Sequence, residues 1–399
     1  MADSCFAESY EEARGKFLAA AAEAGAEVVT LPVTEDAEGK YFMDIAVLTP
    51  SPSSTPTALA VVSSGTHGVE GYAGSAIQID LLRRWKAGGC VPSHVTTVLV
   101  HAVNPYGMAH FRRFNENNVD LNRNCLQPDQ FEKLKEDRIA SIYGSFDPLF
   151  NPTEEPGVFY RNVGVWFRMA YYVASYGIGY IKTAMVAATY SQEKGIFYGG
   201  KKLEKSHVLL RDFFQRFAEV EARKVAWVDV HTGLGPTGVD VLLGSGKDYP
   251  KLQELFPKIA GESDGPQNSF GLTVDEVLKR RCGEGAELEM NGAHFSASQS
   301  AGYEFSVGIL SSDWVTTFFA KNSGQVLQVA QEFGTLGNLS VARALMLENY
   351  GWNHDRQNHD FWRTYTRDAF YVRTGDWKAR VLRRGDEVFR KLSAAIPSA

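Results

Sequence analysis

The sequence is poor in several things at once, and each scarcity closes off a class of function. Of its 399 residues only 4 are cysteine, at positions 5, 90, 125 and 282, widely separated and forming no CxxC pair. That spacing excludes a disulfide framework and a thiolate metal cluster, so free thiols are expected. Positive charge is not in excess either: 41 Lys and Arg stand against 47 Asp and Glu, a formal net charge of -6. Nucleic acids and anionic membranes reward clustered Lys and Arg, so neither is expected as a partner. The longest apolar stretch, 164–190, is broken by Arg168 and Lys182. It falls short of the ~18 uncharged residues of a membrane span and reads instead as a buried helix or pair of helices. Repeats, low-complexity tracts and a convincing interdomain linker are also missing. The opening stretch, MADSCFAESYEE, is acidic where a secretory signal or transit peptide is basic, which gives a cytoplasmic expectation.

What remains is an ordinary globular composition, with 44% hydrophobic and 22% charged residues. Length alone does not choose between one large α/β domain and two smaller ones. The expected organisation is a single domain over 1–399, with an N-terminal helix in 1–30, a helical and aromatic insertion at 126–223 and a C-terminal helical cap at 352–399. A strand at 41–48 and a proline-punctuated loop precede the apolar strand 58–64. A helix at 71–85 follows, then a second apolar run at 96–103. Strand, helix, strand in that order is a βαβ unit of a largely parallel or mixed sheet, which places ligand sites at the carboxyl ends of its strands. Later strands are expected at 225–231, 239–243 and 325–333, and helices at 252–259, 273–280 and 339–348.

Two of these strands end in residues that bind metals. The first runs into Gly65-Thr-His-Gly-Val-Glu70, the second ends at His231. His67, Glu70 and His231 together make the His2Glu set of a catalytic zinc, which needs three protein ligands and one open position. HxxE is a short pattern, and its plain alternative is a loop histidine with a glutamate complementing the positive end of the following helix. Further on, Arg113-Phe-Asn-Glu-Asn-Asn-Val-Asp-Leu-Asn-Arg123 places Arg113 and Arg123, with Asn115 and Asn122 beside them, where they could hold a carboxylate and polarise a carbonyl. A literal GxSxG match at Gly261-Glu-Ser-Asp-Gly265 follows a charged segment, with Pro266 where a helix should begin, and reads as coincidence.

The 113–123 segment resembles the RxNxxxxDLNR motif of zinc metallocarboxypeptidases, in which HxxE precedes the motif and a third ligand histidine ends a later strand. The resemblance spans roughly 61–332. Two phrases, His231-Thr-Gly-Leu-Gly and Glu332-Phe-Gly-Thr, are similar to an uncharacterised metallopeptidase-like branch of that superfamily.

The resemblance implies an α/β fold, a mixed, mostly parallel sheet of about eight strands between helices. It also implies one Zn2+ per chain on His67, Glu70 and His231, with an activated water attacking an amide. Glu332 would be the general base and Arg113 would steady the oxyanion, while Asn122 and Arg123 would grip a substrate carboxylate. Glu304 is the alternative base. Tyr303 and Tyr249 are candidates for the tyrosine that closes over substrate in many relatives, and Asn118 stands where many have Gly. The implied activity is carboxypeptidase-like cleavage of an amide next to a free carboxylate, on a peptide or N-acyl amino acid substrate. The alternatives are an aspartoacylase-like deacylase and a non-catalytic binding module.

Overall fold

The computed structural model describes residues 2–37, 39–49, 57–88, 94–217, 224–245, 248–270, 272–283, 303–320 and 325–396. Its centre is an eight-stranded mixed sheet: β1 Glu27–Glu35, β2 Lys40–Leu48, β3 Ala58–Ser64, β4 Val95–His101, β5 Lys224–Thr232, β6 Asp240–Ser245, β7 Ser263–Phe270 and β8 Gln325–Phe333. The spatial order is β1-β2-β4-β3-β5-β8-β6-β7. β4, β3, β5 and β8 run parallel to their neighbours in the middle, and antiparallel pairings join β2 to β4 and β6 to β8. The α/β architecture expected from the sequence is therefore present.

The middle strands are apolar runs because both of their faces are covered. Successive side chains alternate between two cores. Ala60, Val62, Val228 and Val230 pack under the helices Tyr10–Glu23, Gly71–Lys86 and Gly375–Ala394. Leu59, Val61 and Trp227 pack on the other face against the helix Lys205–Phe214 and the segment holding Val315 and Phe319. The first helix is pinned to the sheet by Arg14, whose Nε and Nη2 donate to the two oxygens of buried Asp44 on β2 at 2.6 and 3.2 Å. The last is pinned to β6 by Arg384, which donates to both oxygens of Asp240 at 3.0 and 3.2 Å.

Two strands lie outside the sequence expectation, and both flank the sheet. β1 contains Pro32 and alternates in burial, as an edge strand does. β7, SDGPQNSF, carries Gly265 and Pro266 and none of the β-branched residues that mark a strand. The GxSxG match runs into it, so Ser263 opens a strand where a nucleophile elbow would end one; its Oγ accepts from the Gly265 backbone N–H.

The 164–190 stretch is corrected in one respect. It forms a pair of helices, Val165–Tyr176 and Ile178–Val186, but the first buries only Val165 and Met169. Phe167 and Tyr171 are 71% and 67% exposed, and Phe159 just before them is 72% exposed. The pair meets the Arg138–Phe150 helix along one edge, where Tyr172, Tyr176 and Tyr180 pack edge-on against Phe146, and Phe167 and Tyr171 lie on its exposed side. Among the described residues no helix is long and apolar enough to cross a membrane.

Candidate metal centre

β3 delivers its site residues through a loop that two contacts hold in place. The backbone N–H groups of Gly68 and Val69 donate to the carbonyls of Arg113 and Arg112 at 3.2 and 2.8 Å, stitching the HxxE turn to the arginine-rich segment. Close approach is possible because Gly74, on the following helix, lies where a Cβ would meet Ser64 Cβ at 2.5 Å. β5 brings His231 in from the neighbouring strand.

His67, Glu70 and His231 converge at the carboxyl ends of β3 and β5, all buried. Nδ1 of His67 lies 3.1 Å from Nδ1 of His231. The Glu70 carboxylate spans the two, with Oε1 at 3.0 Å from His67 Nδ1 and Oε2 at 3.1 Å from His231 Nδ1. Donors bound tetrahedrally to zinc at ~2.0–2.1 Å lie about 3.3 Å apart, so these separations suit a small cation.

The far nitrogen of each ring has its own carboxylate. His231 Nε2 is 2.8 Å from Asp229 Oδ2, and His67 Nε2 is 3.1 Å from Asp120 Oδ1. A carboxylate on the outer nitrogen favours the tautomer that leaves Nδ1 with a lone pair, as Asp229 does at His231. The two Nδ1 atoms and the Glu70 carboxylate face one another in a buried space, a donor set that could hold a divalent cation. The donor set, nitrogen and oxygen without sulfur, fits catalytic zinc.

The charges within the cluster act on one another. Burial opposes the charge on Glu70, yet the charges and hydrogen bonds of His67 and His231 outweigh it and hold the carboxyl well below its usual range. Burial likewise opposes charging His231, but the charge of Asp229 and its hydrogen bond win and raise the imidazole. Asp120 is also held low: burial pushes it up, and Arg113 and His67 more than compensate.

Glu332 sits beside this cluster because β8 pairs with β5 in a register that sets His231 opposite Glu332. Its carboxyl is raised, mainly by burial and also by the charge of Glu70, and its Oε2 is buried with no hydrogen-bond partner. Gln331, next to it, donates to Asp240, which ties that end of β8 to β6. The side chain of Glu304, the alternative base, lies outside the described residues.

Arg113 reaches the cluster from the other side. Its Nε donates to Asp120 Oδ2 at 2.9 Å and its Nη1 to Glu70 Oε1 at 3.2 Å, while Nη2 is 2.6 Å from His67 Nε2. Asn122 and Arg123 are also buried, though much of their bonding capacity is already used. Asn122 Oδ1 accepts from the Leu310 backbone N–H, so only its Nδ2 can turn to a ligand. Arg123 donates through Nε to the Val186 carbonyl and through Nη1 to the Asn122 carbonyl. Its Nη2 is buried without a partner. The Arg123 guanidinium carbon is 5.8 Å from the centre of the Tyr303 ring.

A pocket with about 980 Å³ of empty space, its open mouth included, is lined by Arg113, Glu332, Thr232 and Tyr303 at this site. Tyr303 thus shares the pocket; Tyr249 does not line it, and its hydroxyl accepts from Gln253. Asn118 has φ +59°, in the left-handed region that Gly and Asn enter most easily, which accounts for its place in the motif.

Sequence reasoning assigned no role to Asp120, Asp229 or Arg112. The signal for Asp229 was present, since residues two apart on a strand share a face and Asp229-Val-His231 puts the acid beside the ligand. Arg112 is fully buried, and its Nε donates to Glu348 Oε1 at 2.6 Å. Nothing nearby in the sequence announced that partner.

The family model described as "Protein of unknown function (DUF2817)" matches residues 6–384. The chain belongs to this family. A search of curated proteins found no match. Among solved structures, this member of the family is similar to the carboxypeptidase A from Helicoverpa armigera, at 13% identity over 97% of this chain and 74% of that one, with TM-score 0.44. It is similar to a metallo-carboxypeptidase from Burkholderia cenocepacia, at 14% identity over 95% and 68% of the two chains, with TM-score 0.44. A third likeness is to a protein assigned as a succinylglutamate desuccinylase/aspartoacylase from Shewanella frigidimarina, at 16% identity over 82% and 71%, with TM-score 0.34.

Proposed function

We propose that this protein is a zinc-dependent hydrolase that cleaves an amide bond next to a free carboxylate. One observation carries the reading: two Nδ1 atoms 3.1 Å apart share a carboxylate, each ring backed by an acid on its other nitrogen, with Glu332, whose Oε2 is buried without a hydrogen-bond partner, alongside. His67, Glu70 and His231 would hold the zinc. When bound, it supplies a Lewis acid that polarises a carbonyl and makes water more acidic.

The remaining roles belong to the chain's own side chains. Glu332, oriented by β8 and raised by burial, takes a proton from the attacking water and returns it to the leaving amine. Arg113 carries fixed positive charge into a buried site, where it steadies an oxygen that becomes negative. Arg123 offers Nη2, and Asn122 its Nδ2, to the substrate's carboxylate. A peptide with a free C-terminus and an N-acyl amino acid both present that pair of groups.

Metal analysis of protein purified without chelators tests the foundation. The expected content is about one zinc per chain. Protein without metal under those conditions overturns the proposal.

A further inference from the structure

The pocket that begins at Arg113 and Glu332 does not stay polar. Away from the metal-binding residues its walls are Met169, Val173 and Ile181 from the helix pair within 164–190 on one side, and Ala342, Leu345 and Met346 from the helix Asn338–His354 on the other. Ile178 and Leu339 both line the pocket and stand 56% and 42% exposed, so they mark its mouth. Among the described residues, the acidic or basic ones along the lining are Arg113, Glu332 and Lys182. The ammonium of Lys182 lies 5.8 Å from the centre of the Tyr303 ring, at the polar end and away from the apolar run. Met169, Met185 and Met346 all face one space, giving walls that adapt to a flexible occupant.

A pocket with charge at one end only, apolar walls and an apolar rim selects a ligand with the same polarity. From this geometry we infer that the substrate is an N-acyl amino acid whose acyl group is a long unbranched hydrocarbon chain. The chain runs between the two helices toward Ile178 and Leu339, and the amide and carboxylate remain at Glu332 and Arg113. The inference rests on the amide-hydrolase reading for the orientation of the substrate. The buried edge of the helix pair serves twice, packing with Phe146 and Phe150 and lining the pocket through Met169, Ile181 and Met185.

Binding can be separated from turnover by using zinc-loaded Glu332→Gln protein and a series from N-acetylglycine to N-dodecanoylglycine, followed by calorimetry. Affinity is expected to rise about three- to fourfold per added methylene before levelling off. Ala342→Trp, which fills the channel, and Val173→Glu, which puts a charge on a half-buried wall position, should each abolish that rise and leave N-acetylglycine binding unchanged. Flat affinity along the series overturns the inference, as does tighter binding of N-acetylphenylalanine than of N-dodecanoylglycine, which would place the apolar group on the amine side. Hydrolysis of N-acetylglycine by wild-type protein together with flat binding would keep the hydrolase reading and remove the chain pocket. A chain-length rise in binding with no hydrolysis of any member would keep the pocket and remove the hydrolase reading.

Discussion

Asp229 stands two residues before His231 on the same face of β5, and its Oδ2 lies 2.8 Å from His231 Nε2. Its other oxygen accepts from Ser63 Oγ at 2.7 Å and Thr66 Oγ1 at 2.9 Å, both at the end of β3. One buried carboxylate thus joins the two strands that supply the ligands and sets the ring of one of them. Asparagine keeps the shape but offers a single acceptor oxygen, so Asp229→Asn should lower zinc affinity by roughly 10- to 100-fold. Competition with a chelator of known affinity measures this, and an unchanged affinity would show that the ring is oriented by packing alone.

On the proposed reading, Glu332→Gln removes the proton acceptor and leaves His67, Glu70 and His231 untouched. The variant should bind about one zinc per chain and lose roughly 10²- to 10⁴-fold in kcat. Glu304→Gln should leave kcat near the wild-type value. If the two results were exchanged, the role of base would pass to Glu304.

Buried histidines contribute to the response to acid, and among the described residues His101 and His207 are two of the three, with His110, that burial depresses to about 4. His101 stacks on Phe17 and meets Ser75 Oγ at 2.9 Å, and His207 Nε2 donates to the Leu121 carbonyl at 2.7 Å. Burial depresses both to about 4. In the unfolded chain each takes up a proton near pH 6.5, whereas the folded state resists until near pH 4, so stability is complete above about 6.5 and falls through that window. The loss is of order 3 kcal/mol for each ring. Thermal melts from pH 7 to 4 should show it, and His207→Gln, which keeps the donor to Leu121, should flatten the slope. A slope identical to wild type would assign the acid sensitivity elsewhere.

Arg112 and Glu348 are a fully buried ion pair joining the motif segment to the helix Asn338–His354, with His359 Nε2 also 2.8 Å from Glu348 Oε1 and the Arg112 guanidinium 3.6 Å from the Trp352 ring centre. Glu348→Gln strands a buried guanidinium and should cost about 3–5 kcal/mol. Arg112→Met combined with Glu348→Leu removes both charges and should recover most of that. Denaturant unfolding of the single and double variants gives the comparison, and equal losses in both would mean that shape rather than charge matters at this position.

Legibility in the sequence followed burial. The strands in the middle of the sheet could be read because covering both faces forces an apolar run, and His67, Glu70 and His231 could be grouped in advance because they sit where such runs end. β1 and β7 escaped because a flanking strand needs no such run, and Pro32 and Pro266 are tolerated there. Asp120 was visible inside its motif, yet its hold on His67 joins residues 53 apart in the chain. The 164–190 aromatics misled for the opposite reason: composition resembles a core whether or not anything lies on top of it.

Gly68 shows how little room the ligand loop has. A Cβ there would sit 2.1 Å from the carbonyl carbon of Gly107 and 2.3 Å from the Met108 nitrogen, both backbone atoms in the turn that begins at Asn104. That turn is itself fastened, since Asn104 Oδ1 accepts from the Gly107 N–H at 2.8 Å and Asn104 Nδ2 donates to the Arg113 carbonyl at 3.2 Å. Backbone cannot rotate out of the way as a flexible side chain can, so Gly68→Ala must displace the loop on which His67 and Glu70 ride. Ligands held within about 0.5 Å of productive geometry do not survive such a shift. The variant should fold, because the sheet core is unaltered, and should bind zinc far more weakly than Asp229→Asn, since two ligands move where that change loosens one. Near-native far-ultraviolet circular dichroism with wild-type zinc affinity would mean that Gly107 yields and the loop stays.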